Sequence, residues 1–146
     1  MQAEDATELL RAQVPLLAHA DLRVLEVTPD RVRAMLPLAA NGNHHGSAFG
    51  GSLSLLGIVT GWLLAYAGQT AEPRTRNIVI ADSHSRYQRP LHADLIAEAR
   101  WKAKAASAYR AQLAAGERAS VGIAVQIAGD DGIAMRQDNR FVAVPA

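Results

Sequence analysis

The sequence contains no cysteine in its 146 residues. This absence excludes disulfide bonds, a thiolate nucleophile and the common cysteine-based structural zinc sites, and it agrees with a reducing compartment. The N-terminal residues 1–8 are acidic, whereas a secretory signal begins with basic residues and continues into an apolar run. We therefore expect a cytoplasmic protein without an export signal.

A strong excess of charge is also missing. Fifteen Lys and Arg residues face 14 Asp and Glu residues, which leaves a formal net charge of +1. So small a charge creates no global field that would draw the protein to nucleic acid or to an anionic membrane. The longest apolar run, residues 53–67, is short and is interrupted by Gly57, Thr60 and Gly61. We expect neither a nucleic-acid partner nor membrane insertion.

The order of hydrophobic patterns predicts one α+β domain over residues 1–146, with an N-terminal helical segment over residues 1–18. A run that is apolar on all sides is typical of a buried helix, and alternating runs are typical of strands. We predict helices over 4–14 and 53–67 and strands over 22–28, 31–38, 78–88, 95–102, 121–128 and 133–144, with a hairpin turn at 129–132. Residues 107–115 fit either a short helix or a bulged strand end. An antiparallel sheet wrapped around one long central helix is the hotdog arrangement.

Three motifs resemble a known family. They are Asn41-x-Asn-x-His-x-Ser-x-Phe-x-Gly-Ser52, then Thr60-Gly-Trp62, then Ile-Val-Ile-Ala-Asp-Ser-His-Ser-Arg-Tyr-Gln-Arg-Pro over residues 78–90. Together they resemble the thioesterase domain of the hotdog superfamily that also occurs fused behind an acetyltransferase domain, over about residues 15 to 145. The resemblance implies hydrolysis of acyl-CoA or acyl-carrier-protein thioesters without a metal or redox cofactor. It also implies a homodimer, or a dimer of dimers, whose active sites take residues from both chains.

The same resemblance points to the start of the central helix as the place where the thioester carbonyl is held. Backbone amides around Gly50, Gly51 and Ser52 are the candidates, because unpaired amides at a helix N-terminus suit a developing oxyanion. The two glycines let a substrate approach the backbone closely, and we expect Phe49 beside them to contact substrate. A purely structural role would be a loop-to-helix turn with Ser52 as the N-cap.

The group that activates water is harder to predict. Many hotdog enzymes carry an acidic residue on the central helix, and this chain has none over residues 52–67. Asn41 and Asn43 are candidates for positioning water or substrate, and His45 is a candidate proton acceptor. The two asparagines fit a loop-forming role equally well. Because the consecutive His44 and His45 do not converge and have no third ligand at a suitable spacing, we predict no metal site.

A second group of candidates follows on the strand predicted over residues 78–88. By strand periodicity, Asp82, His84 and Arg86 share one face, and Ser83, Ser85 and Tyr87 share the other. The ionisable face is either a buried, mutually satisfied pair or the source of the missing carboxylate. In the second case Asp82 is the general base, provided that it approaches the 41–52 loop of the partner chain.

Several side chains near that strand are candidates for binding the substrate. We expect His84, Arg86, Tyr87 and Arg89 to contact it, since an arginine cluster suits the phosphates of CoA or of a carrier protein. The cluster consists of Arg74, Arg76, Arg86 and Arg89. For each arginine alone, a solvated surface position is the competing interpretation.

Two other functions remain open on the same fold. A dehydratase acting on acyl thioesters would place a histidine opposite an acid across the dimer, and His45 and Asp82 fit that description. A non-catalytic acyl-CoA-binding module would explain why the central helix lacks a carboxylate. Fold class alone does not separate these functions.

Overall fold

The computed structural model describes residues 1–69 and 76–145. Its helices are α1 (Ala3–Gln13), α2 (Pro15–His19), α3 (Leu38–Asn41), α4 (Gly50–Ala67) and α5 (Ala105–Ala114), and its strands are β1 (Arg23–Val27), β2 (Arg31–Leu36), β3 (Asn77–Tyr87), β4 (Leu95–Trp101), β5 (Ala119–Gly129) and β6 (Gly132–Val144). All six strands form one antiparallel sheet in the order β1-β2-β4-β5-β6-β3. The predicted α+β architecture, with a sheet around one long central helix, is confirmed.

Helix α4 packs closely against β6 at Gly57 and Gly61, where α4 has no side chain. The side chain of Gln137 lies where a Cβ on Gly57 would be, and the Phe141 ring fills the same space at Gly61. The helix pays a propensity cost of roughly 1 kcal/mol for each internal glycine, and this close packing offsets it. Among the described helices, α4 alone is long and apolar enough to cross a membrane, and half of it is buried within the fold.

The opposite face of α4 corrects the prediction that the helix is buried on all sides. Its sheet-facing leucines are buried, whereas an apolar stripe on the other face is only half-buried. The stripe consists of Leu55, Ile58, Val59, Trp62 and Tyr66. Within it, Leu55 and Val59 are four residues apart, as are Ile58, Trp62 and Tyr66 in turn, as one helix face requires. The α4 stripe is therefore a hydrophobic surface that the single chain leaves partly open.

Strand β3 forms one edge of the sheet and runs antiparallel to α4. At its end, the Tyr87 hydroxyl donates to the carbonyl of Gly50 at 3.1 Å. Near its start, the indole N–H of Trp62 donates to the carbonyl of Ile78 at 3.0 Å. The end of β3 therefore lies at the start of α4, and the start of β3 lies beside the C-terminal half of α4.

Three local features differ from the predicted elements or settle an open choice. The predicted opening helix is followed by a second one, because Pro15 cannot continue the α1 hydrogen-bond ladder and instead begins α2. Residues 105–114 form a helix, which settles the ambiguous segment. The predicted hairpin turn joins β5 to β6, with Gly132 at φ 115°. Residues 70–75, most of the loop predicted after the central helix, lie outside the described residues.

Candidate active site

The first turn of α4 presents backbone amides that nothing in the described structure uses. Phe49 is the N-cap in an extended conformation, with φ −66° and ψ 132°, and no side chain caps the helix. Leu53 is the first residue whose amide enters the helical ladder, donating to Phe49 at 3.0 Å. Among the described residues, the amides of Gly50, Gly51 and Ser52 have no acceptor. Unpaired donors at the positive end of a helix dipole suit an anionic oxygen.

The expected N-cap role of Ser52 is wrong. The helix begins at Gly50, so Ser52 is its third residue and its side chain makes no capping hydrogen bond. Both glycines adopt helical conformations, which moves the start of the helix toward the loop. The predicted cluster of amides at Gly50, Gly51 and Ser52 nevertheless lies at the helix start.

Phe49 lies directly over this cluster. Its ring packs against Gly51 in the space that a Cβ would occupy, and more than half of the side chain is exposed. Gly51 remains exposed beside this ring. A group that binds the Gly51 amide would therefore lie next to Phe49.

Asn41 serves the fold within the chain. It is buried, and its side-chain amide donates to the carbonyls of Ala20 and Pro37, both at 2.9 Å. These bonds join the end of α2 to the loop that precedes α4. The amide group predicted to position water or substrate is thus occupied by backbone carbonyls, in agreement with the structural alternative.

Asn43 organises the tip of the same loop. Its side-chain oxygen accepts hydrogen bonds from the backbone amides of His45 at 2.9 Å and Ser47 at 3.2 Å, as in a turn closed by asparagine. Gly46 completes the turn at φ 78°. The His44 and His45 rings are exposed, with their centroids 3.8 Å apart. Within residues 1–69 and 76–145, no three His, Cys, Asp or Glu residues are arranged to hold a metal ion.

The predicted ionisable face of β3 exists but is not buried. The register pairs Asp82 with Arg140 and His84 with Asp138, all on the sheet face that points away from α4. Asp82 forms an exposed ion pair with Arg140 at 2.9 Å. The expectation of a buried Asp-His or Asp-Arg pair is therefore wrong. Within one chain, Asp82 lies on the opposite face of the sheet from the α4 amides.

A β-bulge explains why sequence periodicity misjudged this strand. The register shifts between Ile80 and Asp82, so that Ile80 pairs with Phe141 on the helix side while Asp82 pairs with the outward-facing Arg140. Ile78 and Ile80 thus face α4, as do Ser83, Ser85 and Tyr87 after the bulge. Simple alternation had placed Asp82 on the same face as Ile80.

The outer face nevertheless has an ordered charge arrangement. Asp138 forms an ion pair with Lys102 at 2.9 Å, and its carboxylate also lies 3.6 Å from the guanidinium group of Arg86. The hydrogen bond from Lys102 is the main cause that lowers the pKa of Asp138, and the positive charge of Arg86 contributes. Arg86 is thus partnered on the surface opposite α4.

The other described arginines of the expected phosphate cluster bind backbone carbonyls. Arg76 donates to Glu117 at 2.6 Å and to Leu113 at 3.2 Å, and Arg89 donates to the carbonyl of Asp131. Each of these side chains therefore fixes a loop or a turn. Arg74 lies outside the described residues.

A row of polar side chains on the floor between α4 and β3 was missed by sequence reasoning. Gln137 donates to the Ser85 hydroxyl at 2.9 Å and to the Ser54 carbonyl at 3.2 Å, and Asn139 donates to Gln137 at 2.7 Å. Gln137 and Asn139 are both almost fully buried. The sequence signal was available, because both residues occupy inward positions of β6 between Met135 and Phe141, where a purely structural strand would be apolar.

This polar row contains an unsatisfied atom. The side-chain oxygen of Asn139 is buried without a hydrogen-bond partner among the described residues. If the oxygen and nitrogen of the Gln137 and Asn139 side-chain amides were exchanged, the Asn139 nitrogen would lack a partner instead. One polar atom of Asn139 is therefore unpaired in either orientation. The polar row lies between α4 and β3 and links Ser54 to Ser85.

Comparison with known proteins identifies the group to which this site belongs. Residues 3–145 match the model of the family described as "Putative thioesterase (yiiD_Cterm)". The chain belongs to this family. The match spans nearly the whole chain and includes α4, its glycine-rich approach and the strand with Tyr87.

Solved structures share the fold of this chain over nearly its whole length. A protein from Shewanella oneidensis, described as a "putative thioesterase", has 26% sequence identity and a TM-score of 0.88, with coverage of 98% of this chain and 97% of that one. A Pseudomonas aeruginosa protein described as a "Probable Thioesterase" has 21% identity and a TM-score of 0.83, with coverage of 100% and 97%. A thioesterase from Haemophilus influenzae has 13% identity and a TM-score of 0.76, with coverage of 99% and 92%. At such low identity, the last two show the shared hotdog fold alone.

Proposed function

We propose that this chain hydrolyses acyl thioesters of CoA or of an acyl carrier protein, with the thioester carbonyl bound at the start of α4. The observation that carries the proposal is the set of unpaired amides at Gly50, Gly51 and Ser52. Membership of a thioesterase-type family supports the same chemistry. Amides fixed in a helix need no reorganisation when charge develops on the carbonyl oxygen.

In the proposed reaction, a water oxygen attacks the thioester carbon while the amides of Gly51 and Ser52 donate to the carbonyl oxygen. The tetrahedral intermediate then collapses, the carbon–sulfur bond breaks, and the sulfur leaves as a thiol after taking up a proton. The products are a carboxylic acid and free CoA or carrier-protein thiol. Phe49 flanks the carbonyl and limits access of bulk water to it.

We assign the proton transfer to His45. Asn41 is buried with its amide engaged, and Asp82 would act only if a partner chain brought its loop to the outer sheet face. His45 is exposed on the loop that leads into α4, and a histidine side chain is a common general base in enzymes. Asn43 fixes the backbone of His45 and is a positioning residue in this scheme.

We propose that the active unit is a homodimer joined through the free edge of β3. This edge strand is 11 residues long, and Val79, Ile80 and Tyr87 on it are all at least 40% exposed. A long edge strand with exposed apolar residues favours pairing with another chain. Pairing there would bring the α4 stripe and the 41–52 loop close to a partner in the cytoplasm, where acyl-CoA is available.

A second candidate is an acyl-thioester-binding module without turnover. The observation in its favour is that α4 has no carboxylate at any position, so that water activation depends on a surface histidine. The dehydratase alternative has less support, because the Asp82 carboxylate lies on the sheet face opposite α4.

The decisive assay is release of free thiol from acyl-CoAs of short, medium and long chain. We expect turnover by the wild-type protein and a loss of about 100-fold or more in kcat for His45→Ala, the range for removal of a general base. His44→Ala is the matched control and should retain activity. Binding of acyl-CoA without thiol release at any chain length would favour the binding module, and hydration of an enoyl-CoA without thiol release would favour the dehydratase.

A further inference from the structure

An apolar cavity lies beside the C-terminal half of α4. It has a volume of about 270 Å³ and is lined by Ile58, Val59 and Trp62 of the α4 stripe, by Ile78 and Ile80 of β3, by Phe141 of β6, and by the N-terminal helices. From the N-terminal segment, Leu10, Val14 and Leu17 contribute to its wall. The N-terminal helices thus form part of the cavity wall, although they have no role in the proposed catalytic scheme.

The cavity is in line with the proposed carbonyl site. Gly51, Leu55, Ile58 and Trp62 follow one another along a single face of α4, and the last two line the cavity. Strand β3 accompanies this face from the Tyr87 contact at the helix start to the Trp62 contact with Ile78. The unpaired amides and the apolar cavity therefore lie along one face of α4.

We infer that this cavity receives the end of an unbranched fatty acyl chain and that the N-terminal helices set the length of chain that is accepted. This inference rests on the proposed function, since it takes the α4 amides as the carbonyl site. The lining is almost wholly apolar, as an acyl tail requires, and Gln13 at the end of α1 is its polar exception.

Two distances set the length of chain that fits. Ile58 lies roughly 10 Å from Gly51 along the helix axis, because a helix rises about 1.5 Å per residue. An extended chain advances roughly 1.3 Å per bond, one third of the 3.8 Å between successive Cα atoms, so about eight bonds reach the cavity. At about 30 Å³ for each water-sized methylene group, the cavity holds roughly nine more. The best substrates therefore have acyl chains of more than about eight and up to about 17 carbons.

The test compares butanoyl-CoA, which ends before the cavity, with tetradecanoyl-CoA, which enters it. We expect kcat/KM to rise about fourfold for each methylene group that enters the cavity, the gain for burying one methylene. Val14→Phe places a phenyl ring in the cavity and should reduce kcat/KM for tetradecanoyl-CoA about 15-fold by displacing two or more methylene groups. The rate with butanoyl-CoA should be unchanged, which also shows that the variant is folded.

Leu16→Phe is the matched control, because Leu16 lies on α2 but is exposed and does not line the cavity. It should leave both rates unchanged. An identical chain-length profile for wild type and Val14→Phe would overturn the inference. So would a changed sedimentation coefficient in Val14→Phe with an unchanged profile, because the cavity would then hold a side chain of a second copy.

Failure of the hydrolase proposal would be distinguishable from failure of this inference. If no acyl-CoA is hydrolysed, equilibrium dialysis of the same two thioesters decides the point. Tighter binding of tetradecanoyl-CoA than of butanoyl-CoA, lost in Val14→Phe and kept in Leu16→Phe, would support the cavity while the hydrolase proposal falls. Equal binding of both thioesters by wild type would overturn the cavity assignment.

Discussion

Asn41, a candidate for positioning water or substrate, stabilises the loop that precedes α4. Its buried amide bonds two carbonyls, those of Ala20 and Pro37. Asn41→Ala should reduce the free energy of unfolding by about 1–3 kcal/mol, the cost of leaving such buried groups unpaired. The thiol-release rate per folded molecule should remain near wild type.

Denaturant titration followed by thiol release measures both quantities for Asn41→Ala. Asn43→Ala is a suitable comparison, because its bonds lie in the partly exposed loop tip and its stability loss should be smaller. A large loss of kcat in Asn41→Ala with unchanged stability would restore the catalytic role.

Tyr109 makes stability depend on pH in the alkaline range. Burial is the main cause that raises its pKa from 10.0 to about 12, and its hydroxyl donates to Ala65 at 2.8 Å. Because the folded pKa is the higher one, the stabilisation is complete below pH 10 and is lost as pH rises toward 12. The loss should be about 2–3 kcal/mol from this residue alone.

Urea unfolding at a series of alkaline pH values tests this effect. Tyr109→Phe removes the ionisable hydroxyl, so the variant should be less stable at neutral pH but should lack this part of the decline above pH 10. A decline of the same size in both proteins would show that other groups cause the alkaline loss.

Helices and strands with a regular hydrophobic pattern could be predicted from the sequence. The alternation over β5 and the apolar run of α4 gave nearly the observed bounds of both elements. The start of α4 was placed late because glycines are poor helix formers, whereas here Gly50 and Gly51 are helical. The polar row was visible in β6 as Gln137 and Asn139 at inward positions, but only the register shows which side chains they meet.

The β3 bulge has a larger consequence for the candidate site. One extra residue between Ile80 and Asp82 reverses which face later residues occupy, and nothing in a period-two pattern marks it. Strict alternation therefore placed Asp82 on the face of Ile78 and Ile80, whereas it is an outer-face partner of Arg140. The amide cluster at Gly50, Gly51 and Ser52 could be predicted because a glycine-rich segment and the helix that follows it are local features of the sequence, whereas the face that Asp82 occupies depends on pairing with a distant strand.

The free edge of β3 gives a prediction about assembly. Val79→Lys places a charge on this exposed edge and should convert a dimer into a monomer, because a lysine on an edge strand opposes pairing with another strand. Leu25→Lys is the matched control, since Leu25 is similarly exposed on β1, the opposite edge of the sheet. Sedimentation velocity measures the oligomeric state of the wild type and of both variants. A wild-type monomer, or dissociation caused by Leu25→Lys instead, would contradict the shared-edge dimer.

At the scale of the whole molecule, the fold gathers the proposed functions around one helix. The start of α4 offers hydrogen-bond donors, its middle faces the polar row, and its far half leads to the apolar cavity. The sheet supports one side of this helix, and β3 with the N-terminal helices borders the other. In the proposed account, the half-open stripe of this apolar helix would contact an acyl chain and a partner subunit.

The most direct test of the account is the contribution of the Gly51 amide to thiol release. Gly51→Pro and Gly51→Ala both add a Cβ that displaces the Phe49 ring, but only proline removes the N–H, and proline is tolerated in the first turn of a helix. We predict that Gly51→Pro lowers kcat about 100- to 1,000-fold relative to Gly51→Ala, the effect of deleting one oxyanion donor. Equal kcat values for two folded variants would contradict the claim that the start of α4 holds the thioester carbonyl.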